Sequence, residues 1–416
     1  MILKELSNDE FNRFAEKFML SSMYQTSEYS MVMKNQDYET FLVGLVNDTN
    51  DVMAATVILI ERLGKFKYAY APKGYLVDFT NYELLSEFSN EIKKYLKRKN
   101  CIAIKICPLI AKTKYTPSTK IKLTNPSYEK LYDNLKKLKY YHLGYNNFFE
   151  SLKPRFECIV ELDKNPVNMF NKLPDDIKMK IRTCDLAGIR IYKGNENNLD
   201  FIYEQMREKN DKGKTYVNDM YYNFNNTGKV DVYFAQLDTK AFLINTQKEY
   251  QKQIQICNQI TSKLFENQGK NNNDVISLKI KEDNKLSQIK NQLVYATNLL
   301  RENQNGIVIA SIMVIKHRGQ VYLTLDGYDK KYEHLCAQDL LIWKLMEKYG
   351  SLGYRELNLG GISNPNVYNE KYSPNTEHKL SFNSSSIEYA GDFELIVNMP
   401  LYSIYRNSAP LRKVFK

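Results

Sequence analysis

One order of elements occurs twice along this chain, and a repeat of that length restricts the possible folds more than any short motif does. Tyr38–Val46 and Val52–Ile60 are β-rich runs separated by the turn-forming Asn47-Asp-Thr-Asn-Asp51, which predicts a hairpin. Lys65–Tyr70 reads as a third strand. A helix is predicted over Tyr82–Lys99, where Leu84, Leu85, Phe88, Ile92, Tyr95 and Leu96 recur at helical spacing, and a short apolar strand, Cys101–Ile106, stops before Pro108. The second occurrence runs Val230–Leu237, Gly306–Ile315, Gln320–Leu325, a helix over Cys336–Tyr349 carrying Trp343, and a strand Tyr354–Leu359 closed by Gly360-Gly361. Two lobes of one design are implied. Each is antiparallel strands, a helix and a returning strand, an α+β pattern rather than a strict βαβ alternation.

Between its first two strands the second copy is interrupted by residues of a different character. Leu243, Tyr250, Cys257 and Leu264 recur every seven with Ile254 and Ile260 alongside, and Leu286, Leu293 and Leu300 do the same with Ile289 and Ala296. The breaker cluster Asn267-Gln-Gly-Lys-Asn-Asn-Asn-Asp274 separates the two stretches, so a helical hairpin, an antiparallel coiled-coil arm, is expected over 240–305. Each limb would be about 45 Å long at 1.5 Å per residue. An arm of this kind suits a bulky partner or a dimer contact, and the pattern leaves both open. The boundaries that follow are 1–150 for the first lobe and 151–239 with 306–416 for the second.

A chain of 416 residues with 43% hydrophobic and 26% charged residues has the apolar mass for such cores. Its net charge of +11 equals the excess of sixteen basic over five acidic residues between 86 and 155, a block containing Lys93-Lys-Tyr-Leu-Lys-Arg-Lys99. A localised excess suits an anionic partner such as nucleic acid, a nucleotide diphosphate or an anionic membrane face, and equally the wet faces of amphipathic helices. The longest apolar runs fall short of the roughly 20 residues of a membrane-spanning helix. Acidic residues within Met1–Glu10 and no apolar segment there argue against export. The six cysteines form no C-x-x-C pair and read as reduced thiols of a cytoplasmic protein.

No phosphate-binding G-x-x-x-x-G-K-[ST] loop, G-x-G-x-x-G turn, G-x-S-x-G elbow or H-E-x-x-H helix occurs, and His142, His317, His334 and His378 share no metal-ligand spacing. Neither a metal nor a bound cofactor is expected. Thirty-two tyrosines beside many lysines supply phenol and cation donors suited to phosphates, sugars and bases.

Several ordered segments carry a family resemblance. Gln25-Thr-Ser-Glu-Tyr29 with Lys34 is similar to a Q-S-x-x-W…K segment, Tyr70-Ala-Pro-Lys-Gly-Tyr75 to Y-x-P-R-G-P, and Lys180-Ile-Arg-Thr-Cys-Asp-Leu-Ala-Gly-Ile189 to I-R-K-A-x-x-x-G-V. Tyr322-Leu323, Leu341-Ile-Trp343, Asn358-Leu-Gly-Gly-Ile362, His378-Lys-Leu-Ser-Phe382 and Glu388-Tyr-Ala-Gly391 follow in order. The chain thereby resembles the Fem family of peptidoglycan aminoacyltransferases over nearly its whole length. The resemblance implies two acetyltransferase-like (GNAT-like) lobes and transfer of an aminoacyl group, glycine foremost, from aminoacyl-tRNA to an amine of a peptidoglycan precursor. That precursor is either lipid II or UDP-MurNAc-pentapeptide, the former bringing a peripheral membrane contact.

The resemblance also assigns roles. Lys379 stands at the family's functional C-terminal lysine and would steer the tRNA 3′ end or the developing oxyanion. Lys34 would meet precursor phosphate, and Lys212 and Tyr216 fall where the family has an arginine and a tyrosine on the precursor; lysine there is a point charge without the bidentate fork. Tyr70 and Tyr322 complete the substrate-binding set. Cys107 occupies a position where the family carries an acid, and no general base stands out, Asp326 and Glu388 suiting core or capping roles better. Two other readings are an acyl-CoA acetyltransferase, disfavoured by the missing pyrophosphate loop, and a non-catalytic RNA-binding scaffold.

Overall fold

A computed structural model describes residues 1–116, 121–146, 153–207, 212–266 and 273–407. Its strands are β1 (Ile2–Glu5), β2 (Glu39–Val46), β3 (Val52–Leu63), β4 (Phe66–Ala71), β5 (Cys101–Ile106), β6 (Ala111–Thr116), β7 (Ile121–Thr124), β8 (Tyr140–His142), β9 (Phe156–Glu161), β10 (Ile189–Lys193), β11 (Val230–Leu237), β12 (Ile307–His317), β13 (Gln320–Tyr328), β14 (Glu356–Ile362), β15 (Ser385–Tyr389) and β16 (Phe393–Ile396). They form two sheets, ordered β1-β2-β3-β4-β5-β16-β8 and β10-β11-β12-β13-β14-β9-β15-β6-β7.

The repeat is visible as topology. In each sheet four strands run antiparallel. A helix then crosses over, Tyr82–Arg98 in one lobe and Ala337–Ser351 in the other, and the next strand returns parallel, β5 beside β4 and β14 beside β13. Parallel pairing demands such a crossover. The two lobes are one α+β module used twice. The first crossover helix shows why the local sequence obeys: the Asn81 side chain caps the Leu84 N–H, Leu85, Phe88, Ile92 and Leu96 bury one stripe, and Asn100 at φ 62 turns the chain out.

The two lobes differ at two places in the repeat. In the first lobe the β2–β3 turn is short; in the second the same turn position, between β11 and β12, is opened by the helices Thr239–Glu266 and Asn273–Glu302. These pack antiparallel, as Phe242 against Tyr295 and Gln253 against Glu282 show. Cys257, Ile260, Ile289 and Ala296 are buried along their seam, while Leu243, Tyr250 and Leu264 are half-buried. Residues 267–272 of the expected reversal lie outside the described residues. Thr239 Oγ1 donates to Asn303 O at 2.6 Å and closes the base of the arm. The second difference is the parallel ladder: β4–β5 pairs up to Ala71 and Ile106, whereas β13–β14 stops at Tyr322 and Asn358, beyond which the strands splay.

The sheets also trade strands across the sequence boundaries. β16, from residues 393–396, pairs with β5 of the first sheet, and β6 and β7, from 111–124, extend the second. Residue 150, the boundary drawn from sequence, lies among residues 147–152, outside those described. The charge excess at 86–155 is divided accordingly: Lys105 is buried in β5, and Lys112 and Lys114 on β6 pair with Glu388 and Glu161.

Apolar clusters fill the outer face of each sheet, and a third fills the space between them. The middle one draws Phe11, Tyr29, Tyr68 and Leu76 from the first lobe and Phe224, Val232, Phe234 and Met313 from the second. The lobes therefore share a core. Phe224, on the helix Lys214–Asn225, is fully buried there. Phe224→Ala is expected to lower stability by about 3–5 kcal/mol, read by urea denaturation.

Candidate active site between the lobes

The loop after β4 enters the seam between the sheets because Gln25 clamps it. Buried Gln25 donates through Nε2 to Pro72 O at 2.8 Å and accepts through Oε1 from Val57 N at 2.8 Å. A Cβ on Gly74 would stand 2.7 Å from that same Nε2, so only glycine fits under the clamp. The loop delivers Lys73 at φ 50 with its backbone N–H on Cys107 Sγ at 3.1 Å. Cys107 is buried, and burial pushes its thiol up to about 12, leaving it a neutral packing group.

Lys73 Nζ meets Glu157 Oε1 of β9 at 2.8 Å, with the side chains only 2% and 7% exposed. The ammonium also donates to Pro154 O at 3.2 Å and lies 3.9 Å from the centre of the Tyr389 ring. Glu157 Oε2 accepts from Asn358 Nδ2 at 2.8 Å and from Tyr389 OH at 3.4 Å. Asn358 Oδ1 in turn accepts from Gly360 N. An asparagine at 358 can donate to Glu157 where an ionised aspartate would repel it.

This network lines one side of a cavity of about 220 Å³ at the seam. Tyr24 and Ser22 of the first lobe and Gln320, Tyr322 and Glu356 of the second complete the walls used below. Tyr322 OH donates to Gln320 Oε1, and Gln320 Nε2 donates to Glu356 Oε2. Beside the cavity, Ser21 Oγ contacts His317 Nε2 at 2.9 Å across the lobes. Burial, with the Lys229 and Arg318 charges adding to it, holds the His317 imidazole down at about 4. Next to Tyr24 a half-buried Lys153 donates to Tyr29 OH at 3.2 Å and lies 3.9 Å from the Tyr24 ring centre. Burial lowers its pKa, and the nearby Tyr216 hydroxyl acts in the opposite direction. Among the described residues no group of three or more His, Cys, Asp or Glu could hold a metal ion, and no helix is long and apolar enough to cross a membrane.

Residues 6–408 match the FemAB family. The chain belongs to the FemAB family. Aminoacyltransferase FemA of Staphylococcus epidermidis is 25% identical over 99% of this chain and 100% of its own length, and Aminoacyltransferase FemA of Staphylococcus aureus (strain bovine RF122 / ET3-1) is 23% identical over 97% of each. The crystal structure of FemX has the same fold, with a TM-score of 0.75 at 18% identity over 97% of this chain and 99% of that one.

Of the FemAB residues singled out from sequence, Tyr322 lines the cavity and Tyr216 stands near Lys153. Lys379 lies outside the cavity wall, at the splay of β13 and β14: its Nζ donates to Gly361 O at 3.0 Å, and Gly361 pairs with Glu157 in the β14–β9 ladder. Lys34 and Lys212 are exposed, Lys212 lying 5.0 Å from the Tyr216 ring centre. Tyr70 is buried with its hydroxyl on Glu61 at 3.0 Å, a packing position. Glu388 is occupied by Arg155, Lys112 and Thr113, and Asp326 by Gln338, so both carboxylates have structural partners. Sequence reasoning passed over Lys73, although it sits inside the quoted Tyr70–Tyr75 segment, and Glu157, which no local pattern marks.

Two outcomes follow from this chemistry. Lys73→Met strands a buried carboxylate and is expected to cost about 3–5 kcal/mol in urea denaturation, much of it recovered in Lys73→Met/Glu157→Leu. For His317, a folded pKa near 4 against an ordinary 6.5 means that the unfolded chain takes up a proton the folded one refuses. Stability present above about pH 6.5 is then lost as pH falls towards 4, by roughly 3 kcal/mol, and His317→Gln should flatten that part of a stability–pH curve.

Proposed function

We propose that this FemAB protein transfers an aminoacyl group, glycine as the first expectation, from aminoacyl-tRNA to a primary amine on the stem peptide or interpeptide bridge of a peptidoglycan precursor. The observation that carries the reading is the family match over residues 6–408, joined by relatives named Aminoacyltransferase FemA along the full chain. The chemistry asks little of the protein. An aminoacyl ester is already activated, so aminolysis needs a neutral amine held against the carbonyl and charge stabilisation for the oxyanion.

Lys379 is the residue we assign to that charge. What supports it is a half-buried ammonium at a splayed strand pair, where Gly360 at φ +85 carries no side chain to block the opening. Its present acceptor, the Gly361 carbonyl, is a neutral partner that a developing oxyanion would outcompete. Exposed Lys34 and Lys212, with Tyr216, are assigned to the phosphates and sugar of the precursor, lipid-linked or as the UDP-sugar pentapeptide, and Tyr322 to the substrate side of the cavity.

Purified protein incubated with charged tRNA is expected to release the ester only when precursor is present, with the amino acid recovered on the precursor by mass spectrometry. Ester loss that is independent of acceptor, or none with any charged tRNA, overturns the reading. Lys379→Met should reduce kcat by about 10²-fold or more, while Lys34→Ala and Lys212→Ala should mainly raise KM for the precursor.

A further inference from the structure

The cavity at the seam carries two unmet demands. The first is charge. Lys73 and Glu157 cancel one another, while Glu356 accepts only a neutral hydrogen bond from Gln320 and forms no salt bridge among the described residues. One carboxylate in the walls is left without a counter-ion. The second is a hydrogen bond. Ser22 Oγ lines the same cavity, is 2% exposed, and has no hydrogen-bond partner among the described residues. A buried hydroxyl left unpaired costs free energy unless a ligand completes it. Of the tyrosines in the walls, Tyr24 and Tyr389 already face the Lys153 and Lys73 ammoniums, and Tyr322 is the phenol ring that can offer its face to a further cation.

We infer that this cavity is the subsite for a primary ammonium, with Glu356 as its counter-ion and Ser22 Oγ as a further acceptor, and that the group it holds is the α-ammonium of the aminoacyl moiety being transferred. The inference rests on the aminoacyl-transfer reading above. Two amines take part in such a reaction, and their needs are opposite. The attacking amine must be neutral, whereas the α-amine of the donor must not attack. A carboxylate beside an amine favours its protonated form, so a site of this charge disables a nucleophile and suits the donor. Its volume, about 220 Å³, is below the roughly 300–1,000 Å³ of sites for drug-sized ligands. It accommodates a small aminoacyl group and leaves the adenosine of the tRNA end outside.

Equilibrium binding tests this without requiring turnover. The probes are the stable amide 3′-glycylamido-3′-deoxyadenosine, its N-acetylglycyl counterpart, and a free stem peptide bearing a lysine side chain. The wild-type protein is expected to bind the glycyl amide about tenfold more tightly than the N-acetylated form, the scale of one charge-assisted contact. Glu356→Gln keeps the Gln320 hydrogen bond and should erase that preference; Ser22→Ala should weaken the glycyl amide by a few-fold with little effect on the acetylated one. Equal binding of the two amides by the wild-type protein overturns the proposal, as does a preference that survives in Glu356→Gln. So does a Glu356-dependent affinity for the stem-peptide amine in place of the glycyl amide. Circular dichroism and melting temperature of both variants verify folding, and the wild-type comparison stands without them. If the transfer assay of the preceding subsection fails while the ammonium preference holds, the donor reading falls and the subsite remains.

Discussion

An ammonium taken out of water must find its countercharge within the protein, and Lys73 finds it only across the seam between two sheets. The Gln25 clamp fixes the loop that carries the lysine, Glu157 reaches it from the second sheet, and Asn358 and Tyr389 satisfy the remaining carboxylate oxygen. Removing either partner while the lobes stay packed would leave a buried charge unpaired, a state several kcal/mol above the paired one. The pair thus sets the relative position of the lobes at the place where the cavity lies, and the side chains of that cavity inherit their geometry from it.

Around this contact the same module is used twice with different outcomes. The first lobe keeps a short hairpin turn and a parallel ladder that runs to Ala71 and Ile106, so its strands stay together. In the second, the hairpin turn carries the helical arm and the parallel ladder ends at Tyr322 and Asn358, leaving an opening beside Lys379. Traded strands, β16 in one direction and β6–β7 in the other, make the two lobes a single mechanical unit. A shared core between the inner faces does the same through apolar burial.

Much of the fold was legible because local periodicity and turn chemistry are properties of short segments. Cys101–Ile106 and Val230–Leu237 have the bounds their apolar runs predict, and the crossover helices and the heptad-patterned hairpin lie where spacing puts them. The strands that cross between lobes were not legible. Ala111–Thr116 is polar and half-exposed, and β16 is four residues long; each becomes a strand because a neighbouring edge is present to pair with it, a condition no window of sequence contains. The site divides in the same way. Tyr322 and the segment bearing Lys73 could be picked out, but Glu157 sits in the ordinary run Phe156–Glu161, and Ser22 in a loop without pattern.

By itself the amino-acid order determined the repeated module, the arm between its second set of strands and the likeness to one family, since hydrophobic period, turn residues and motif order are all carried along the chain. Tertiary structure decided which strands complete which sheet, that Glu157 neutralises Lys73 while Glu356 meets no counter-ion among the described residues, and that Lys379 stands at a splayed strand pair. Those are facts of distance between residues remote in sequence, and electrostatic energy depends on distance.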